Sequence, residues 1–135
     1  MIDYTSDLAA LSPADLQGFF VGWPSPPTPQ AFLEILRNSS HVVLAKDGAL
    51  VVGFVNAVSD GRLSAYIPLL EVLPEHHGQG IGQELVRRIR EQLHDVYMVD
   101  VMCDEDLVPF YEKAGMSRAT GMVMRNYDAP VLHGA

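Results

Sequence analysis

Leu70-Glu71-Val72-Leu73-Pro74-Glu75-His76-His77-Gly78-Gln79-Gly80-Ile81-Gly82-Gln83-Glu84-Leu85 is the stretch whose reading decides the fold of this chain. An apolar strand ends at Pro74, and a glycine-rich turn opens directly into an amphipathic helix. Gly78, Gly80 and Gly82 fall at alternate positions, so backbone N–H groups there can approach an anion with no Cβ in the way. The helix adds the unpaired N–H groups of its first turn and the positive end of its dipole. Strand, turn and helix N-terminus together make a site for phosphate or pyrophosphate.

Two nucleotide readings fail on spacing. A dinucleotide fingerprint needs G-x-G-x-x-G with an acidic residue about 20 positions on. Here the third glycine comes one residue early. A Walker loop ends in G-K-[ST], whereas this turn ends in Gly82-Gln83-Glu84.

The pattern resembles the acyl-CoA signature of the GNAT N-acetyltransferase superfamily, [R/Q]-x-x-G-x-[G/A] after a strand ending in V-x-P. This chain has His77-Gly78-Gln79-Gly80-Ile81-Gly82 after Val72-Leu73-Pro74. A second block, Phe110-Tyr111-Glu112-Lys113-Ala114-Gly115-Met116, is similar to the family's F-Y-E-K-x-G-[F/M]. The resemblance runs from Ile2 to about Tyr127. It implies an α/β (α+β) fold with a mixed, mostly antiparallel sheet of about six to seven strands. About four helices would flank that sheet, which would splay between its fourth and fifth strands.

The chain has 135 residues, enough for one domain and too few for two. We expect a single acyltransferase domain over residues 1–128 and a loose tail over 129–135. Hydrophobic residues make up 48% and charged residues 19%, as in an ordinary globular protein, and no apolar run is long enough to span a membrane. The N-terminus has acidic residues and lacks the pattern of a signal peptide. One cysteine, Cys103, excludes an intramolecular disulfide and suits the cytoplasm. The net charge of −8 argues against nucleic-acid or anionic-membrane partners and permits a cationic substrate; it also serves solubility.

Along the chain, Ile2 to Thr5 reads as a first strand. Ser12-Pro13 reads as the start of a helix through about Phe20, and Thr28-Pro29 as the start of a second. His41 to Ala45 and Ala49 to Val58 read as a hairpin. Pro68 predicts a bulge or a strand start before Pro74. Ile81, Leu85, Val86, Ile89 and Leu93 give the next helix one apolar stripe. Val96 to Met102 reads as a strand, Asp104 to Gly115 as a short helix closed by its glycine, and Arg118 to Asp128 as a last strand or hairpin.

By resemblance, backbone groups of Val72 and Leu73 would bond the pantetheine arm of acetyl-CoA, and the loop Gly78, Gln79, Gly80, Ile81 and Gly82 its pyrophosphate. His77 stands where the family has Arg or Gln. Its imidazolium, present below about pH 6.5, would touch the pyrophosphate, or its ring would be solvated while the backbone binds alone. Tyr111 falls on an inward helix face, where it is a core residue or, by resemblance, the general acid that protonates the leaving thiolate. Glu71 points away from its strand neighbours and is a candidate base, as is Asp100. Asp104 contacts substrate or only caps its helix. Cys103 reads as a small buried apolar residue. Trp23, on a proline-rich loop, is a wall of the acceptor site or a plug over the core. No histidine spacing matches a metal site. The resemblance implies transfer of an acetyl group from acetyl-CoA to a primary amine, a small cationic metabolite or a protein amine. The alternative is a CoA-binding sensor or inactive partner subunit. Dimers are frequent in the family, so the resemblance admits a homodimer without settling the oligomeric state.

Overall fold

The structure, a computed structural model, describes residues 1–129. Six strands form one sheet: β1 (Ile2–Thr5), β2 (His41–Asp47), β3 (Leu50–Ser59), β4 (Ser64–Ile67), β5 (Leu70–Val72) and β6 (Met98–Val101). The order is β1-β2-β3-β4-β6, with β5 also paired to β3. All pairs are antiparallel except β4 with β6. Among the described residues three α-helices complete the fold: α1 (Pro29–Arg37), α2 (Ile81–Gln92) and α3 (Val108–Lys113).

β2 and β3 read as almost unbroken apolar runs because both faces of the sheet are covered. On one face Phe19, Phe20, Phe32, Leu36, Val42, Leu44 and Phe54 pack together. Val43, Val52, Val55, Ile81, Leu85, Ile89 and Leu93 fill the other, so the stripe expected on α2 is its buried side. Thr28 Oγ1 accepts from Ala31 N at 3.1 Å and starts α1 where the sequence places it.

Three expectations need correction. The helix expected from Ser12 to Phe20 is a single 3-10 turn, Pro13–Leu16. Gly18 turns left-handed there, at φ +89°, and ends the turn. Two further 3-10 turns, Pro74–His76 and Glu105–Leu107, bring the α-helices to three instead of about four. The last strand expected over Arg118 to Asp128 is absent: residues 116–126 carry no regular structure and find no ladder partner among the described residues. Apart from Ala129, the loose tail expected over 129–135 lies outside the described residues.

Pro68 marks the feature that positions the site. The strand leading to Pro74 is split into β4 and β5, both paired to β3, while β6 follows only β4. Beyond the split β5 and β6 diverge, so the sheet opens at the expected place. Asn56, 1% exposed, bridges the break. Its Oδ1 accepts from Leu69 N at 3.0 Å and its Nδ2 donates to Ser39 Oγ at 3.0 Å. Ser39 Oγ in turn donates to Ile35 O near the end of α1. Asn56→Ala should therefore destabilise the fold by about 2 kcal/mol, because the Leu69 N–H loses its acceptor beside the bulge. The denaturant midpoint is the measurement, and a change within its error would show that water takes over the contact.

On the solvent side of α2, Glu84 accepts from Arg87 Nη2 and Arg88 Nε, both at 2.6 Å. The Arg87 hydrogen bond, followed by Arg88 and the charges of both, lowers its pKa to about 2. Its folded pKa lies below the unfolded one, so its contribution is full above about pH 4.5 and is lost as pH falls toward 2. This pair is solvent-screened, so Glu84→Gln should cost less than about 1 kcal/mol at neutral pH. The difference from the parent should vanish near pH 2 when the two are titrated with urea. A constant difference from pH 2 to 7 would show that the ion pairs carry none of it.

Candidate active site

Gly78 and Gly80 take φ values of +78° and +80°, which side chains disfavour. A Cβ built on either would meet nothing within 4 Å, so these glycines serve backbone shape and the space above them is open. Gly80 is the N-cap of α2, and no side chain caps that helix. Its first-turn N–H groups therefore face outward with their dipole intact, a ready anion site. Arg87 and Arg88 hold the Glu84 carboxylate aside and offset its charge near that site.

Gly82 has a different reason to be glycine. A Cβ there would come within 3.2 Å of the Phe110 ring, so Gly82 lets α3 lie against α2. The even spacing of three glycines had suggested one shared role.

β5 supplies the second part of the site. Leu73 N donates to Val52 O at 2.8 Å, and Asn56 N to Leu69 O at 3.2 Å. Antiparallel pairing alternates, so the peptide groups of Leu70 and Val72 face away from β3 toward the open splay. Val72 thus presents its backbone N–H where the sequence reading places the pantetheine arm, while its carbonyl is engaged by His77 and Leu73 N is committed to β3. His77 is exposed, as its solvated reading has it, and its ring also folds back so that Nε2 donates to Val72 O at 2.7 Å. The ring spans the turn and ties the phosphate loop to the strand edge. Beside it, His76 approaches Asp47 at 3.5 Å, and its Nδ1 is buried without a partner.

Tyr111 is 7% exposed on α3. Burial above all, then the neighbouring Cys103 and Tyr66, pushes its hydroxyl up to about 12. The phenol therefore keeps its proton throughout the working range, and its acidity is lower than the ordinary value assumed from sequence. Two α2 side chains hold the short helix in place. Gln83 Nε2 donates to Phe110 O at 3.0 Å, and Arg90 Nη1 donates to Ala114 O. Gly115, at φ +95°, closes α3 as expected, with Met116 N donating to Tyr111 O and Gly115 N to Glu112 O. Tyr111 and the phosphate loop thus belong to one interlocked helix pair.

Beside β6 lies a cleft of about 1060 Å³, whose lining includes Tyr66, Asp100, Cys103, Tyr111, Arg118 and Arg125. Neither residues 77–82 nor Trp23 reach it. Cys103 is exposed, in contrast to the buried residue expected, because the chain leaves the sheet after Val101. Asp104 stands at the start of a 3-10 turn but makes no side-chain cap, so the capping reading lacks its hydrogen bond. Trp23 packs edge-on against Phe20 at 5.0 Å and stays 44% exposed, so it borders the core without sealing it. Glu71 does point to the face opposite Leu70 and Val72, but its oxygens accept from Phe20 N at 2.8 Å and Val21 N at 3.2 Å. Among the described residues no three His, Cys, Asp or Glu side chains gather as a metal site would need.

Comparison with known proteins agrees with this architecture. The model of the Acetyltransferase (GNAT) family matches residues 8–116. The chain belongs to this family. A crystal structure of a candidate acetyltransferase from Deinococcus radiodurans is similar at 50% identity and a TM-score of 0.91, covering 94% of this chain and 90% of that one. A GNAT family acetyltransferase from Streptococcus pneumoniae is similar at 28% identity and a TM-score of 0.78, over 95% of this chain and 100% of that one. Among curated proteins, GCN5-related N-acetyltransferase 3, chloroplastic, of Arabidopsis thaliana is 36% identical over 103 residues. That match covers 71% of this chain and 43% of the relative, so this chain spans less than half of that protein's length.

As a GNAT domain, the chain has an uncapped helix N-terminus, a left-handed glycine turn and, on β5, the outward-facing N–H of Val72. The helix N-terminus and the turn fit the pyrophosphate of acetyl-CoA, and on β5 the Val72 N–H is left for its pantetheine arm. Sequence reasoning missed Gln83 and Arg90, which fasten the tyrosine helix; their spacing on α2, seven residues apart on one side, was the available signal.

Proposed function

We propose that the protein is an N-acetyltransferase that moves an acetyl group directly from acetyl-CoA to a primary amine. One observation carries the reading: the open glycine turn and the tyrosine helix are locked to the same α2, at the place where the sheet splays. Acetyl-CoA, when bound, supplies an activated thioester. Val72 would hold its arm through its N–H, and the residue 79–82 amides its pyrophosphate. Tyr111 would then give its proton to sulfur as the C–S bond breaks and the amine nitrogen bonds the acetyl carbon. The amine proton leaves to water. Positioning accounts for most of the rate.

The favoured acceptor is a small cationic amine or an exposed protein amine. The net charge is −8, and Asp100 lines the cleft. Of the arginines lining the cleft, Arg118 is paired bidentately with Glu105 at 2.7 and 3.1 Å and Arg90 donates to Ala114 O, while Arg125 donates only to Met124 O. A single exposed cysteine favours a reducing compartment such as the cytoplasm. No helix among the described residues is long and apolar enough to cross a membrane.

Thiol release from acetyl-CoA against a panel of amines, at low and high salt, tests the proposal. A cationic acceptor should react fastest and lose rate as salt rises, because screening weakens steering. Preference for an anionic amine such as glutamate would overturn the acceptor assignment alone. No thiol release with any amine, alongside clear CoA binding, would favour a CoA-binding sensor. That second reading draws support from Glu71, whose oxygens are already engaged, and from the weak acidity of Tyr111.

A further inference from the structure

The segment between the first 3-10 turn and α1 crosses β5 and is held there by one side chain from 51 residues away. Gly18 lies over Leu73, where a Cβ would stand 3.4 Å from its Cδ2. Phe20 takes a left-handed φ of +63°, the only positive φ outside glycine among the described residues. Such a conformation is disfavoured for a bulky residue and persists only where the surroundings impose it. Two contacts do so. The Phe20 ring is buried, packed edge-on against Phe32 at 5.0 Å, and the consecutive N–H groups of Phe20 and Val21 both point at the Glu71 carboxylate. Successive amides in this geometry form a concave anion cradle. The carboxylate is the anion, and it belongs to the same chain.

What this fixes is Trp23. Its N–H donates to Phe20 O at 3.1 Å, closing a turn over residues 20–23, and its ring rests on Phe20. The half-exposed indole is therefore aimed by a turn whose shape Glu71 enforces.

We propose that Glu71 is a positioning residue, not the general base: its carboxylate latches the residue 18–23 turn onto β5 and so aims the Trp23 indole as a contact for the acceptor, outside the cleft beside β6. Each oxygen faces an N–H donor, and a proton placed on either would turn an acceptor into a donor aimed at a donor. Taking up the amine proton would release the turn just when the acceptor must be held. The base reading and the latch reading thus ask opposite things of one carboxylate.

Glu71→Gln separates them. Glutamine keeps one acceptor oxygen and sets an NH2 group against the other amide, so the turn loses half of its latch. Amide hydrogen exchange at Phe20 and Val21 should accelerate about tenfold or more, as expected when a hydrogen bond to a charged acceptor is lost. Exchange along α2 should stay unchanged. Only the kinetic arm rests on the acetyltransferase reading. There KM for the amine should rise about tenfold while kcat stays within about threefold, and the acid limb of the kcat profile should persist. Glu71→Asp, with a shortened carboxylate, should recover part of the exchange protection. A fall in kcat of about a hundredfold with loss of the acid limb, and exchange at Phe20 and Val21 unaltered, would identify Glu71 as the base and overturn the proposal. If no amine is turned over, exchange alone decides: unaltered rates at Phe20 and Val21 overturn it.

Discussion

Tyr111→Phe should leave CoA affinity intact and lower turnover by about 10²-fold or more, the range of a lost general acid. The substitution removes one oxygen from a helix whose packing comes from the ring, through Phe110 at 4.9 Å and the backbone clamps of Gln83 and Arg90. Burial holds the hydroxyl at about 12, so in the parent enzyme the donor remains protonated at every practical pH. Any alkaline fall in parent activity below about pH 10 should then arise elsewhere and survive in the residual activity of Tyr111→Phe. Thiol release measures the turnover and thermal shift the CoA affinity. Unchanged turnover with a lowered melting temperature would assign Tyr111 to the core.

Gly80→Val should abolish about nine-tenths of the stabilisation that CoA confers while the protein still folds. In the parent, ligand at about a hundred times Kd adds about 2.7 kcal/mol to stability, several degrees in melting temperature. Valine cannot hold φ +80° without strain of about 1–2 kcal/mol, so the turn must redraw and its amides leave the anion. The added side chain meets no protein atom within 4 Å, so the apo protein should lose only that strain. Full retention of the CoA shift would mean that this turn does not bind the pyrophosphate. Gly82 makes a contrasting control, since a Cβ there presses on Phe110 and should disturb α3 rather than the turn.

The fold was legible where local pattern and tertiary need coincide. The α2 stripe could be read because periodicity alone decides which side of a helix is buried, and Ile81, Leu85, Val86 and Ile89 are all buried. Pro68 could be read because a missing donor must interrupt a ladder, as it does. Ser12-Pro13 said where a helical turn starts but not where it stops; its end is set by Gly18 and by Glu71, a residue far along the chain. The last strand was misread because β propensity does not supply a partner edge. In the candidate site, Gly78 and Gly80 announced themselves by composition. His77 did not, because its bond to Val72 O depends on how the turn folds back. Cys103 was assigned to the interior by residue type, and only the short β6 places it outside.

The clamps on α3 also impose an order in time. A helix of six residues is far below the length that persists alone in water, about 12–15 residues, so α3 has no independent existence. Its carbonyls at Phe110 and Ala114 are gathered by side chains of α2, which is twelve residues long and comes earlier in the chain. During synthesis the phosphate loop and its helix can therefore settle on the sheet before the tyrosine helix is complete. On the acetyltransferase reading, the young protein would grip CoA before it could discharge it, and catalytic competence would be the last property to mature.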